Sequence, residues 1–169
     1  MRRPALVCDT SLLLYLGRIG HEALLNSLFE PVYVPEPVNI ELAMGRLLRP
    51  DTIDPAPLGW IALTTVSPSD VEKLPSNRLG FGERAVLAYA YTHSGCWAGL
   101  DDRQARLLAV SLGVKVVGTV GIIIRAKRTG LIPSARELLG RIREEGFHLS
   151  TEVYVEALRL AGEERAAEI

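Results

Sequence analysis

Five acidic residues stand where this chain could do chemistry. Asp9 follows the apolar run Ala5 to Cys8, and Asp101 and Asp102 follow Cys96 to Leu100. Both runs read as short buried strands. Thr119 ends a third, Val114 to Gly118. In an open α/β sheet, ligands gather beyond the carboxyl ends of the strands. One Asp in such a place commonly does no more than cap the next helix. Three polar ends on three separate strands are harder to explain by capping alone.

Two glutamates join them. Glu83 opens a helix that runs to His93, where the helix dipole favours a carboxylate. Val86, Leu87 and Ala90 follow at three, four and seven residues, which puts Glu83 on the core-facing stripe. Glu41 shares a stripe with Val38, Met44 and Leu48. A carboxylate at the edge of a core needs a cation or strong donors. For Glu41 an arginine would suffice. As a set, however, Asp9, Glu41, Glu83 and Asp101 or Asp102 have no basic residue among them. Like charges that crowd together raise one another's pKa, and a divalent cation removes the conflict. Oxygen ligands without His or Cys point to Mg²⁺ or Mn²⁺ and not to zinc. His21, His93 and His148 lack ligand spacing.

Basic charge lies elsewhere. From Arg103 to Arg136 there are seven cations and no acid between Arg103 and the end of the stretch: Arg103, Arg106, Lys115, Arg125, Lys127, Arg128 and Arg136. Singly these are solvated surface. As a set, and Arg103, Arg106, Arg125, Lys127 and Arg128 above all, they could grip phosphates beside a metal site. Ser11 and Thr119 add hydroxyls suited to a phosphate oxygen or a bound water. Thr119 serves equally well as a helix cap.

The elements that must position these groups follow from the rest of the pattern. Thr10 and Ser11 can cap a helix that carries Leu12, Leu13 and Leu16, and Glu22 to Phe29 is helical. Val32 to Val34 is a strand, after which Pro35 and Pro37 open a helix to about Leu48. Residues 49–59 form a loop, Trp60 to Thr64 an added strand, and 67–80 a loop with one helical turn. Helices at 103–112, 122–128 and 135–145 each stop at a glycine, Gly113, Gly130 and Gly146. A last helix, Glu152 to Ala161, runs into an acidic tail. Helix and strand alternate as in βα units, which predicts an α/β fold with a central parallel sheet. The expected division is one domain over 1–150, with 151–169 packed on it or extending from it.

Composition narrows the function classes. The 169 residues are 48% hydrophobic and carry 19 basic and 20 acidic side chains, a formal charge of −1. That is ample material for a core, and it excludes a protein that holds nucleic acid by bulk charge. Cys8 and Cys96 form no metal motif or disulfide framework and read as reduced, buried thiols. Arg2 and Arg3 precede an apolar stretch that Asp9 interrupts, with no cleavage site after it. The run Val116 to Ile124 is half of what a bilayer requires. A cytoplasmic protein with no membrane partner is expected.

Asp9-Thr10-Ser11 after a strand, Val38-x-x-Glu41-Leu42, Gly82-Glu83-Arg84-Ala85-Val86, Leu100-Asp101-Asp102-x-x-Ala105-Arg106 and Gly118-Thr119 occur in this order. The series resembles the PIN-domain nucleases, and among them a poorly characterised bacterial and archaeal branch related to VapC toxins, in which Gly-Glu replaces the usual third aspartate. The likeness runs from about Ala5 to Gly146. It implies a three-layer α/β/α sandwich with a central, mainly parallel sheet, and a Mg²⁺- or Mn²⁺-dependent endoribonuclease. Carried across, Asp9 is the first carboxylate, Glu41 the second, Glu83 the third, and Asp101 or Asp102 the fourth. Asp9, Glu83, Asp101 and Asp102 would be the metal ligands, and Thr119 matches the hydroxyl after the following strand. The partners it implies are RNA, a second copy in a homodimer, and an antitoxin protein if the chain is the toxin of a toxin–antitoxin pair. The alternative is a PIN-fold nucleic-acid-binding or regulatory protein with little or no catalysis. A response-regulator receiver domain would need a lysine at a strand end, and a haloacid-dehalogenase phosphatase an Asp where Ser11 stands. Both are excluded.

Overall fold

A computed structural model describes residues 1–75 and 78–164. Five strands, β1 (Leu6–Cys8), β2 (Val32–Pro35), β3 (Ile61–Thr64), β4 (Trp97–Gly99) and β5 (Val116–Val117), form one sheet in the order β3-β2-β1-β4-β5. Every pairing is parallel. The helices are α1 (Thr10–Arg18), α2 (Ala23–Leu28), α3 (Glu36–Leu48), α4 (Pro68–Glu72), α5 (Phe81–Thr92), α6 (Arg103–Ser111), α7 (Thr119–Arg128), α8 (Ala135–Glu144) and α9 (Thr151–Leu160). Helix α5 packs on β1, β2 and β4 and meets α6. Helix α7 gathers α1, α2, α8 and α9. The expected α/β sandwich is the fold observed. The acidic tail beyond residue 164 lies outside the described residues.

The central strand explains the arrangement. Leu6, Val7 and Cys8 are all fully buried, as a strand covered by helices on both faces must be. The register Leu6↔Trp97, Val7↔Ala98, Cys8↔Gly99 sets Asp9 and Leu100 at neighbouring strand ends. Both chains then turn at once into helices, with extended backbone at Asp9 and Asp102.

Several elements differ from expectation. Helix α7 begins at Thr119 and not at Ile122, because Gly118 is its N-cap and the turn starts as soon as β5 ends. Neither Thr10 nor Ser11 caps α1. The cap position is Asp9, without a side-chain bond, and both hydroxyls turn to other carboxylates. The stripe assigned to Glu41 is also corrected. Val38 and Leu42 are buried, but Met44 and Leu48 are 60% and 89% exposed. The core edge therefore runs one position further round α3, and Glu41 sits on its rim. Cys8 and Cys96 are free and buried. No helix among the described residues is long and apolar enough to cross a membrane.

The predicted glycine stops are C-terminal turns. At Gly130 (φ 76°) the N–H of Leu131 reaches Ala126 O at 2.8 Å and that of Gly130 reaches Lys127 O at 3.1 Å. This closes the last carbonyls of α7 in a left-handed turn that suits glycine. Gly130→Ala is expected to lower the unfolding free energy by about 1 kcal/mol, readable as a lower urea midpoint with an unchanged slope.

Candidate active site

The carboxyl edge of the sheet collects the acids. Asp9, at the end of β1, is only 6% exposed. Glu41 reaches in from α3 and accepts from the hydroxyl of Thr10 and, at 3.2 Å, from the N–H of Gly82. Glu83 accepts from the N–H of Gly80 at 3.1 Å and so closes the first turn of α5. Asp101 is the most tightly held. One oxygen accepts from Thr119 N at 2.7 Å, and the other from Ser11 Oγ and Thr119 Oγ1, each at 2.6 Å. Asp102 caps α6 by accepting from Ala105 N at 2.8 Å. The pair thus divides its labour: Asp101 faces the cluster, and Asp102 begins the helix.

Gly82 shows how closely the acids approach. A Cβ added there would lie 2.8 and 3.0 Å from the two carboxylate oxygens of Glu41 and 3.1 Å from Asp9 Oδ1. Two carboxylates from different elements therefore meet over one bare stretch of backbone. In the sequence Gly82 stands out only as part of the Gly82-Glu83 motif, because the expected helix starts at Glu83. With α5 starting at Phe81, Gly82 falls inside the first turn, where a glycine marks a close approach. Thr10 was missed in the same way, as a presumed cap.

Electrostatics follow from the geometry. Among the described residues, no ion pair includes Asp9, Glu41, Glu83, Asp101 or Asp102. The arginine partner considered for Glu41 is replaced by a hydroxyl and an N–H. Burial pushes Asp9 up to about 7. The N–H of Thr10 opposes that rise, and the charges of Glu83, Glu41 and Asp101 add to it. Burial also lifts Glu83 above the ordinary carboxylate range, against the Gly80 N–H and with Asp102 and Glu41 adding to the rise.

The basic stretch does not arrive as a set. Arg106 does lie beside the site: its guanidinium donates to Leu100 O at 3.3 Å and passes over Gly118 next to Asp101. Arg103 opens α6 and shares a groove with Asp101. Arg125 instead packs 4.9 Å from the ring centre of Trp97 and 5.2 Å from that of Phe29. Trp97 begins β4, so Arg125 stands at the opposite edge of the sheet. Lys115 covers the same ring at 5.5 Å. Lys127 donates to Pro133 O at 2.8 Å and lies 3.7 Å from Glu163. Arg136 bonds the Glu163 carbonyl at 2.8 Å. Arg128 ends α7, about 14 Å along the axis from Thr119. The expectation that Arg125, Lys127 and Arg128 flank the carboxylates is corrected: α7 starts at the site and carries its cations away from it.

Asp9 and Glu41 fit a hard cation. They bring oxygen ligands to one point, one of them is buried, and neither enters an ion pair among the described residues. As the side chains stand, no three Asp, Glu, His or Cys among the described residues are arranged to hold a metal ion. Asp101 is turned to Ser11 and Thr119, and Glu83 to Gly80.

A sheet of this order with acids at its carboxyl edge defines a class of α/β protein with a polar site at strand ends. The chain matches the family described as PIN domain over residues 5–163, and it belongs to that family. PIN domains are generally nucleases. No curated protein matches the chain.

Asp9 supplies a test without added metal. Its pKa is higher in the folded state than the ordinary 3.8, so its contribution to stability is fully present below about pH 4 and is lost as pH rises through about 7. The loss is on the order of 4 kcal/mol. Metal-free wild type should thus melt at a lower temperature at pH 8 than at pH 5. Asp9→Asn should flatten that difference and be the more stable protein at pH 8. Parallel melting curves for the two proteins would show instead that Asp9 is not strained.

Proposed function

We propose that the chain is a Mg²⁺- or Mn²⁺-dependent endoribonuclease that hydrolyses RNA phosphodiester bonds. The observation that carries this reading is the buried carboxylate of Asp9, which meets Glu41 over Gly82 without a counter-charge. So placed, the acids raise one another's proton affinity, and a divalent cation is the group that such a cluster takes up in exchange for protons.

Asp9 and Glu41 would hold the ion, with Glu83, Asp101 and Asp102 around them. Bound there, the ion would supply a water of lowered pKa and offset charge on the scissile phosphate. The residues themselves do the following. Ser11 and Thr119 fix Asp101 through both its oxygens. Thr10 and the Gly82 N–H fix Glu41. Asp9, whose burial raises its pKa in the metal-free protein, would give up its proton as it takes the ion. Arg106 lies beside Asp101 as a cation for a substrate phosphate. One observation favours a second reading, a PIN-fold RNA-binding protein with little catalysis: both oxygens of Asp101 are already satisfied within the protein.

Single-turnover cleavage of a structured RNA mixture with Mg²⁺ or Mn²⁺ tests the proposal. The wild type should cut. Asp9→Asn and Glu83→Gln should each lose on the order of a hundredfold or more in rate, while Glu83→Gln costs about 1 kcal/mol or less of stability. A wild type that cuts nothing with either metal sinks the enzyme and leaves the binding protein. Gly82→Ala gives a separate check, because its Cβ must push Glu41 and Asp9 apart. It should abolish the rise in melting temperature that Mn²⁺ gives the wild type.

A further inference from the structure

A groove of about 730 Å³ opens directly beside the site, along the β5 edge of the sandwich. Asp101 lines its mouth. One wall is a stripe of α6, Arg103, Arg106, Leu107 and Val110, at helical spacing. The other is a stripe of α9 that includes Val153 and Leu160. Val120 and Ile124 of α7 form the floor. The size lies within the range of ligand sites, about 300–1,000 Å³. Leu107 and Val110 are 61% and 67% exposed, an unusual state for adjacent turns of one helix face that borders a cavity.

We propose that this groove is a nucleotide subsite, which takes the unstacked base next to the scissile phosphate of a single-stranded RNA. The inference rests on the nuclease reading, but its test does not require cleavage. Two observations select this occupant. The first is continuity: the groove shares Asp101 with the carboxylate cluster, so a strand whose phosphate lies at the acids continues into it. The second is the order of chemistry along α6. Arg103 and Arg106 line the groove from the first turn of α6, just after Asp101, and enter no ion pair among the described residues. Leu107 and Val110 follow within about one turn, 5–6 Å. Cation and then apolar wall is the sequence that phosphate and then base requires. Phe147 adds an aromatic ring to the lining, held edge-on by Tyr15 at 5.0 Å. Bases freed from stacking are commonly held by such apolar and aromatic surfaces.

The probe is a 2′-O-methyl hexanucleotide, which resists cleavage, together with a series in which each position in turn is abasic. Binding is followed by fluorescence anisotropy with the full chain. Wild type should lose affinity on the order of tenfold for one or two abasic positions and little for the rest. Val153→Trp, which fills the groove from a half-exposed position, should weaken the intact oligonucleotide by a similar factor and erase the abasic effect. Leu107→Ser with Val110→Ser gives a second route through exposed residues that the fold does not need. Equal affinities across the abasic series overturn the subsite, as does a wild type that binds no oligonucleotide. A Val153→Trp protein that binds RNA as before but changes its sedimentation overturns it too and assigns the groove to a protein partner. Cleavage of unmodified RNA with Mn²⁺ is scored separately, so the subsite can fail while the nuclease stands.

Discussion

The carboxylate of Asp9 is buried at the end of the central strand, and among the described residues no cation pairs with it. That burial follows directly from the sheet. β1 lies between β2 and β4, so the residue that leaves its carboxyl end is covered by whatever leaves the strands on either side. α3 then delivers Glu41 and α5 delivers Gly82 to the same spot. A buried anion is costly, and this one stays because the covalent path of β1 into α1 gives it no other place.

The acids around Asp9 are held by neutral donors. Around the cluster the oxygens of Glu41, Glu83 and Asp101 accept from three hydroxyls and three backbone N–H groups, those of Thr10, Ser11, Thr119, Gly80, Gly82 and again Thr119. Neutral donors orient a carboxylate without cancelling its charge. A lysine or arginine in the same positions would have cancelled that charge. Glycine at 82 and 118 serves the same end. Each leaves backbone bare where a side chain would collide with a carboxylate or with Arg106.

Arginines are kept, but at a distance. Arg125 and Lys115 lie over Trp97 at the amino edge of the sheet, where they cover an aromatic ring and do not meet the acids. Lys127 and Arg136 tie the start of α8 to Glu163, past the end of α9. Of the seven cations of that stretch, Arg103 and Arg106 remain beside the cluster, because α6 begins right where β4 delivers Asp101 and Asp102.

The sequence alone determined the alternation of elements, the glycine stops, the parallel sheet and the five acids. These are local properties: apolar runs, helical spacing and a turn that needs a left-handed residue. It also put Glu83 in the first turn of its helix, where its carboxylate closes on the Gly80 N–H. Three things were decided only by tertiary structure. Asp101 and Asp102 are chemically identical neighbours, and only the tertiary structure turns one to Ser11 and Thr119 and makes the other the cap of α6 beside Glu83. Thr10 and Ser11 read as caps because capping is what hydroxyls do at a helix start. The nearness of Glu41 and Asp101, 31 and 90 residues away in the chain, gave them stronger acceptors. The seven cations looked like one patch because they are continuous in sequence. A helix of ten residues carries its two ends about 14 Å apart, and that length alone sends Arg128 away from the site that Thr119 helps to build.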